Sequence, residues 1–161
     1  MKYFSTFLFF LLLLQYGCTT PPEDFSLIYT MESVGNYKIS IEIDKDKNFT
    51  VRQQNVFFDT FAGEERINTS EGKMTDEEHA GLTELIFQSR LFRMKDDYGF
   101  GQDVDLDDPP GGLIYQISYT EGKKSKYISI RSNRNDTFPE TFLQLLRFLS
   151  NYASKKSSES A

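Results

Sequence analysis

The strongest constraint on the fold is a strict alternation of apolar and polar side chains near the middle of the chain. Tyr37, Ile39, Ile41 and Ile43 alternate with Lys38, Ser40 and Glu42. Successive side chains of a strand point to opposite faces of the sheet, so this pattern predicts a strand with one buried face. The alternation resumes over residues 49–53 after a polar turn at 44–48. The two segments therefore predict a hairpin.

The second half of the chain repeats this plan. Leu113, Tyr115, Ile117 and Tyr119 alternate with polar residues, Glu121–Lys124 predicts a turn, and Tyr127–Arg131 predicts the returning strand. A weaker β-compatible stretch between Glu65 and Lys73 predicts an edge strand. The sheet is expected to consist of two hairpins plus this possible edge strand.

Two segments carry helical signals. Thr75 followed by Glu78 predicts a capping box, and the apolar positions behind it predict an amphipathic helix that ends near Ser89. A second helix is expected to begin at Asp136 or Thr137, with Pro139 in its first turn. Its buried stripe consists of Phe142, Leu145, Leu146 and Leu149. The order of elements predicts an α+β fold, an antiparallel sheet with both helices packed on one face.

The N-terminus has the order of a secretory signal. Lys2 is followed by an apolar run from Phe7 to Leu14. As a helix, residues 3–14 would reach only about 18 Å, whereas the hydrocarbon core of a bilayer is about 30 Å thick. Residues 1–17 are therefore predicted to be a signal peptide rather than a membrane span.

The only cysteine of the chain follows this segment directly. Gly17–Cys18 resembles the lipobox of bacterial lipoproteins, in which the cysteine is lipidated and becomes the first residue of the mature protein. The resemblance implies lipidation at Cys18, and two acyl chains suffice for stable anchoring. The alternative is a cysteine that is discarded with the signal peptide. We expect a tether over residues 18–36, a single domain over 37–153 and a disordered tail over 154–161.

The charge of the chain limits its partners. It has 18 basic and 24 acidic residues, and removal of Lys2 with the signal peptide leaves 17 against 24, a net charge of −7. Nucleic-acid binding requires clustered Lys and Arg, so no nucleic-acid partner is expected. The predicted partners are a membrane, through the lipid, and an envelope protein or peptide.

An acidic segment at 95–112 is the sharpest chemical feature. Asp103, Asp105 and Asp107 have the spacing with which a calcium loop begins. Such a loop needs Gly at its sixth position and Glu at its twelfth, where this chain has Asp108 and Ile114. A solvated acidic loop is the main expectation, and a calcium-responsive or carboxylate-dependent site is the alternative. No cofactor is predicted.

Catalytic chemistry has little support in the sequence. The single histidine, His79, is predicted to lie exposed in the first turn of a helix. The cysteine is assigned to the lipid and cannot act as a nucleophile. The chain is therefore predicted not to be an enzyme.

Several short segments resemble known families. They are Gly72–Glu78, Leu91–Phe92, Asp97–Gly99, Tyr115–Tyr119 with Glu121–Lys123, and Pro139 before Leu145 and Leu146. Together they resemble a bacterial domain of unknown function that is common in predicted envelope lipoproteins. They are also similar, more loosely, to emfourin, a protein inhibitor of thermolysin-type proteases. The first resemblance implies an envelope lipoprotein and the second a protease inhibitor, and neither carries over site residues. Because no catalytic motif is found, the favoured function is a non-enzymatic module that binds a protein or peptide through the sheet edge or the loop 95–112.

Overall fold

A computed structural model of the chain describes residues 21–33, 36–55, 67–98, 112–131 and 137–159. These residues form one mostly antiparallel sheet of seven strands and two α-helices, so the predicted α+β class is confirmed. The strands are β1 (Phe25–Ser33), β2 (Tyr37–Ile43), β3 (Asn48–Gln54), β4 (Ile67–Lys73), β5 (Asp97–Tyr98), β6 (Leu113–Glu121) and β7 (Lys124–Arg131). The helices are α1 (Asp76–Ser89) and α2 (Glu140–Ser158), and Leu91–Arg93 forms a 3₁₀ turn. The strand order is β4-β3-β2-β1-β6-β7-β5.

The prediction that residues 18–36 are a tether is wrong for the greater part of that range. β1 lies at the centre of the sheet and pairs antiparallel with β2 on one side and β6 on the other. Its core-facing side chains Phe25, Leu27 and Tyr29 are buried. The segment escaped prediction because Ile28 interrupts the apolar–polar alternation on the opposite face, where it is exposed. The domain therefore begins at Phe25 and not at residue 37.

Both helices contact the same face of β1. The ring of His79 in α1 stacks on Phe25 at 5.3 Å, and the hydroxyl of Tyr29 hydrogen-bonds with that of Ser150 in α2 at 2.5 Å. Residues 25 and 29 point to one side of a strand, so the core lies between this side and the two helices. The core also includes Ile39, Ile41, Ile43, Val51, Ile117, Ile128, Leu82, Leu145 and Leu149, all buried.

The N-terminus of α1 is fixed by the predicted capping box. The Thr75 hydroxyl accepts the N–H of Glu78 at 3.1 Å, and the Glu78 carboxylate accepts the N–H of Thr75 at 2.9 Å. These two bonds satisfy donors that have no partner inside the helix. Partial burial acts to raise the pKa of Glu78, but the bonds with Thr75, the charge of Lys156 and the hydroxyl of Tyr152 together outweigh it and lower that pKa.

Two predictions at the ends of α2 are corrected. The N-cap residue is Pro139, which makes no side-chain capping bond, rather than Asp136 or Thr137; Asp136 lies outside the described residues. At the other end, the helix continues to Ser158, within the range predicted to be a disordered tail. Buried Ala153 and Ser157 extend the apolar stripe by one more turn. Packing of this stripe on the sheet keeps a polar, serine-rich sequence helical.

The segment predicted as a loop from residue 95 contains a short strand. β5 pairs parallel with β7, with Asp97 opposite Ser129 and Tyr98 opposite Ile130. The ammonium of Lys126 donates to the backbone oxygen of Met94 and to the carboxylate of Asp96, which fixes the chain just before β5. Two residues are too few for an alternation, so this strand had no detectable sequence pattern.

Close packing at the other end of the sheet depends on a glycine. A Cβ atom on Gly72 in β4 would lie 2.8 Å from Cζ of Phe49. The Phe49 ring meets Tyr152 edge-on at 5.5 Å and lies under the ammonium of Lys156 at 5.7 Å. The ring is thus buried and in contact with other side chains, which limits its freedom to move away.

We expect Gly72→Ala to lower the free energy of unfolding by about 1–3 kcal/mol, the usual cost of overpacking. Gly81→Ala is the matched control, because Gly81 lies on the exposed side of α1, where an added Cβ would meet no other atom within 4 Å. It should raise the free energy of unfolding by about 0.5–1 kcal/mol through helix propensity. Urea denaturation measures the free energy of unfolding of both variants. Equal changes in the two variants would contradict the close packing of Phe49 against Gly72.

Candidate functional site

A surface groove of about 840 Å³ lies between the C-terminal end of α1 and the end of the β6–β7 hairpin. Its apolar wall comes from Ile86, Phe87, Leu91, Phe92 and Tyr119. Gln88 and Thr141 add polar groups at its edge. The groove is open to solvent and combines apolar side chains with hydrogen-bonding groups, as ligand-binding clefts do.

The groove exists because α1 stops abruptly. Arg90 adopts a left-handed conformation with φ 51°, and its N–H donates to the Phe87 carbonyl at 3.4 Å. The 3₁₀ turn that follows buries Leu91 in the core and leaves Phe92 39% exposed. The Phe92 ring packs against Tyr119 at 5.4 Å. The turn therefore buries the side chain of Leu91 in the core and places the side chain of Phe92 at the groove surface.

Three cations border the groove. Arg90 precedes the 3₁₀ turn, Arg93 is its last residue, and Lys124 begins β7. All three are exposed, and none forms a salt bridge with an acidic residue in the described part of the chain. Arg side chains favour carboxylate and phosphate groups because their planar fork donates two parallel hydrogen bonds. This groove is therefore suited to an anionic ligand.

Glu121 is the acidic residue of the groove wall. Its carboxylate accepts a hydrogen bond from the Tyr119 hydroxyl at 3.0 Å. Burial, followed by the neighbouring Glu121, raises the pKa of Tyr119, so the phenol remains protonated and keeps donating. The carboxylate is thereby held by a phenol of the groove wall, and Glu121 is also the cross-strand partner of Lys124.

The groove lies where the chain enters the sheet. Pro22 lines it, three residues before β1 begins at Phe25. Cys18 lies four positions before Pro22. A fully extended chain spans at most about 3.3–3.6 Å per residue, so Cys18 can lie no further than about 14 Å from this proline.

A second polar cluster lies at the N-terminus of α1. The Tyr152 hydroxyl donates to the Glu78 carboxylate at 3.3 Å, and the Lys156 ammonium lies 5.5 Å from the Tyr152 ring centre. These contacts connect α1 to α2. They hold two helices together rather than form a cavity.

His79 lies near this cluster and is not the exposed surface histidine that the sequence predicted. It is half-buried and stacks on Phe25 with an angle of 13° between the rings. Burial, and then the charge of Lys47, lower its pKa below the ordinary 6.5, although Asp76 acts in the opposite direction. The neutral ring acts as a flat packing group between the helix and the sheet.

The other predicted site residues lie outside the described residues. These are the lipidation site Cys18 and the acidic loop positions Asp103, Asp105 and Asp107. Within the described ranges, no group of three or more His, Cys, Asp or Glu side chains is arranged to hold a metal ion. No helix in those ranges is both long and apolar enough to cross a membrane.

No protein-family model matches this chain, and a search of curated proteins finds no significant similarity. The resemblances to an envelope-lipoprotein domain and to emfourin therefore stay predictions.

Sequence reasoning did not find the groove. Its cations come from two distant segments, Arg90 with Arg93 and the hairpin turn before Lys124, and only the fold brings them together. A usable signal was present, because each segment places cations beside a predicted break in an otherwise acidic chain. The sequence alone does not show that these two breaks lie next to each other, because that depends on the strand order.

Protonation of His79 should favour the unfolded chain, because its pKa in the folded protein is lower than the ordinary value of 6.5. The free energy of unfolding is then highest above this value and falls as the pH decreases from 6.5 through the lowered pKa. We expect His79→Gln to lose this part of the pH dependence. Denaturant titrations between about pH 7.5 and 5.5 measure it, since carboxylates titrate mainly below that window. Equal pH slopes for both proteins would contradict the packing role of the neutral ring.

Proposed function

We propose that this chain is a cell-envelope lipoprotein, anchored through Cys18, whose domain binds an acidic peptide segment of another protein in the groove described above. The observation that carries the proposal is the rim of Arg90, Arg93 and Lys124, which form no salt bridge among the described residues, although Lys124 lies opposite Glu121 in the β6–β7 pair. The role is binding rather than catalysis.

Charge supports this choice of ligand. The whole chain has a net charge of −6, which disfavours the approach of acidic partners in general. Three cations at a single groove would direct an acidic segment to that location. Electrostatic complementarity of this kind mainly sets specificity and the association rate. The exposed Phe92 would supply apolar contact area beside the charges.

The scaffold supports a binding role as well. In this proposal the hairpins β2–β3 and β6–β7, the edge strand β4 and the two helices form a rigid platform, so the groove needs little rearrangement to accept a ligand. Pre-formed sites lose less conformational entropy on binding. His79, the only histidine, is engaged in packing on Phe25, which leaves it poorly placed to serve as a general base.

The anchor is tested by Cys18→Ala in a bacterial host. We expect the unaltered protein to have a mature mass that begins at Cys18 with a diacylglyceryl group and to remain with the membrane fraction. The variant should lose both properties. An unmodified protein that is soluble in both forms would overturn the anchor and leave the groove proposal standing.

The groove is tested with a labelled peptide of alternating glutamate and phenylalanine, and with a matched peptide in which glutamine replaces glutamate. We expect the full chain to prefer the acidic peptide, with an affinity that decreases as salt increases. Replacing Arg90, Arg93 and Lys124 together by Glu should weaken binding by about tenfold or more. Fluorescence anisotropy measures both effects.

The matched control is Arg52→Glu, which reverses an exposed cation on β3 on the face of the sheet away from the helices. It should leave the affinity unchanged. Glu121→Gln should increase the affinity, because it removes the acidic group of the groove wall. The proposal would be overturned if the acidic and neutral peptides bound with equal affinity. It would also be overturned if Arg52→Glu reduced the affinity as much as the triple replacement does.

A further inference from the structure

The outer edge of β7 is only partly covered by β5. β7 pairs along its whole length with β6, whereas β5 pairs on the other side with only two of its residues, Ser129 and Ile130. Among the described residues, no strand pairs with the outer edge of residues 124–127. This part of β7, hereafter the open edge, lies in line with β5 and begins at Lys124, which borders the groove.

The backbone of the open edge directs hydrogen-bonding groups outward. The N–H of Ser129 donates to the Asp96 carbonyl at 2.9 Å, so the backbone groups of Ser129 point away from β6. These directions alternate from one residue to the next along an antiparallel strand, which gives Tyr127 and Ser125 the same outward direction. Both residues are exposed, and within the described part of the chain neither makes a backbone hydrogen bond on this side. Each therefore offers one N–H and one C=O to an incoming extended backbone.

The segment that already pairs with β7 indicates which kind of sequence this edge accepts. It consists of Asp96, Asp97 and Tyr98, two acidic residues followed by an aromatic one. The Asp96 carboxylate forms a salt bridge with the ammonium of Lys126. Lys126 lies opposite the buried Tyr119, so its side chain is on the helix side of the sheet. The chain itself thus pairs an acidic, extended segment with this edge.

Lys124 repeats the position of Lys126 two residues earlier in the strand. Side chains two positions apart point to the same face, so Lys124 also lies on the helix side. It is exposed and forms no salt bridge among the described residues, although Glu121 is its cross-strand neighbour. An acidic side chain of a strand at the open edge would meet Lys124 as Asp96 meets Lys126.

The opposite face of the open edge suits an apolar side chain. Tyr127 follows Lys126 and therefore points to the face away from the helices, where it is 50% exposed. Aromatic and apolar side chains on neighbouring strands stabilise each other when they share a face. A strand at this edge would place acidic side chains beside Lys124 and apolar ones beside Tyr127. Its sequence would therefore alternate between the two types.

We infer that the acidic segment binds as an added β-strand on the open edge of β7. The inference rests on the proposed function, since it states how the groove takes its peptide. The backbone of the segment bonds with Ser125 and Tyr127, its acidic side chains face Lys124 and the groove, and its apolar side chains pack on the Tyr127 ring. In strand addition of this kind, main-chain bonds give affinity and alternate side chains give specificity.

N-methylated peptides test the inference on the unaltered full chain. The labelled peptide of alternating glutamate and phenylalanine is compared with two versions, one N-methylated at every glutamate and the other at every phenylalanine. Each version loses the N–H donors along one edge of the extended peptide, because N–H directions alternate along a strand. We expect one version to bind about tenfold or more weakly and the other to bind like the parent peptide. Fluorescence anisotropy measures the three affinities.

Ser125→Pro tests the same edge from the side of the protein. It removes an outward N–H and no bond with β6, and proline is tolerated at such edge positions. The variant should bind the acidic peptide about tenfold or more weakly. Thr69→Pro is the matched control on the other edge of the sheet. The N–H of Thr69 in β4 also points outward, because the N–H of Met74, five residues on, donates to the Lys47 carbonyl on the β3 side. This control should leave the affinity unchanged.

Amide hydrogen exchange by NMR gives an independent readout. Binding of the parent peptide should slow exchange at Ser125 and Tyr127. Equal affinities of the two N-methylated versions, or unchanged exchange at these two amides in the complex, would overturn strand addition and leave the proposed function standing. If the parent acidic peptide does not bind at all, the proposed function is overturned and this inference with it.

Discussion

Burial of one side of β1 is the constraint on which the rest of this structure depends. Phe25 contacts α1 and Tyr29 contacts α2, and Leu27 between them is buried. β1 also supplies both edges on which the hairpins assemble, because β2 pairs on one side and β6 on the other. Without it, β4-β3-β2 and β6-β7-β5 would be two separate three-stranded sheets, each with one more unpaired edge.

This dependence explains what could and could not be predicted. Strong alternations located β2, β3, β6 and β7, and the Thr75–Glu78 capping box located the start of α1, because these signals are local. β1 and β5 were missed because their strand character comes from pairing with distant residues: Ile28 breaks the pattern of β1, and β5 has only Asp97 and Tyr98. The last turn of α2 was missed for a similar reason, since burial of Ser157 is a tertiary effect.

The candidate sites were less predictable than the fold. The sequence directed attention to His79 and to the acidic loop, because unusual residue types are visible in a sequence. The groove consists of ordinary residues such as Arg90 and Lys124, which become notable only because the fold makes them neighbours. The β6–β7 hairpin supplies Tyr119, Glu121 and Lys124 to the groove. Strand order and register determine that arrangement, and both follow from the position of β1.

The position of β1 also limits how far from a membrane anchor at Cys18 the domain can lie. With Cys18 as the proposed anchor, the tether shrinks from the expected 19 residues to seven, 18–24, and its maximum reach falls from about 65 Å to about 24 Å. Since Pro22 is part of the groove wall, a lipid on Cys18 would keep the groove within a few nanometres of the bilayer. A partner would therefore have to present its acidic segment at the membrane surface, which favours a membrane-bound or surface-associated protein over one that diffuses freely.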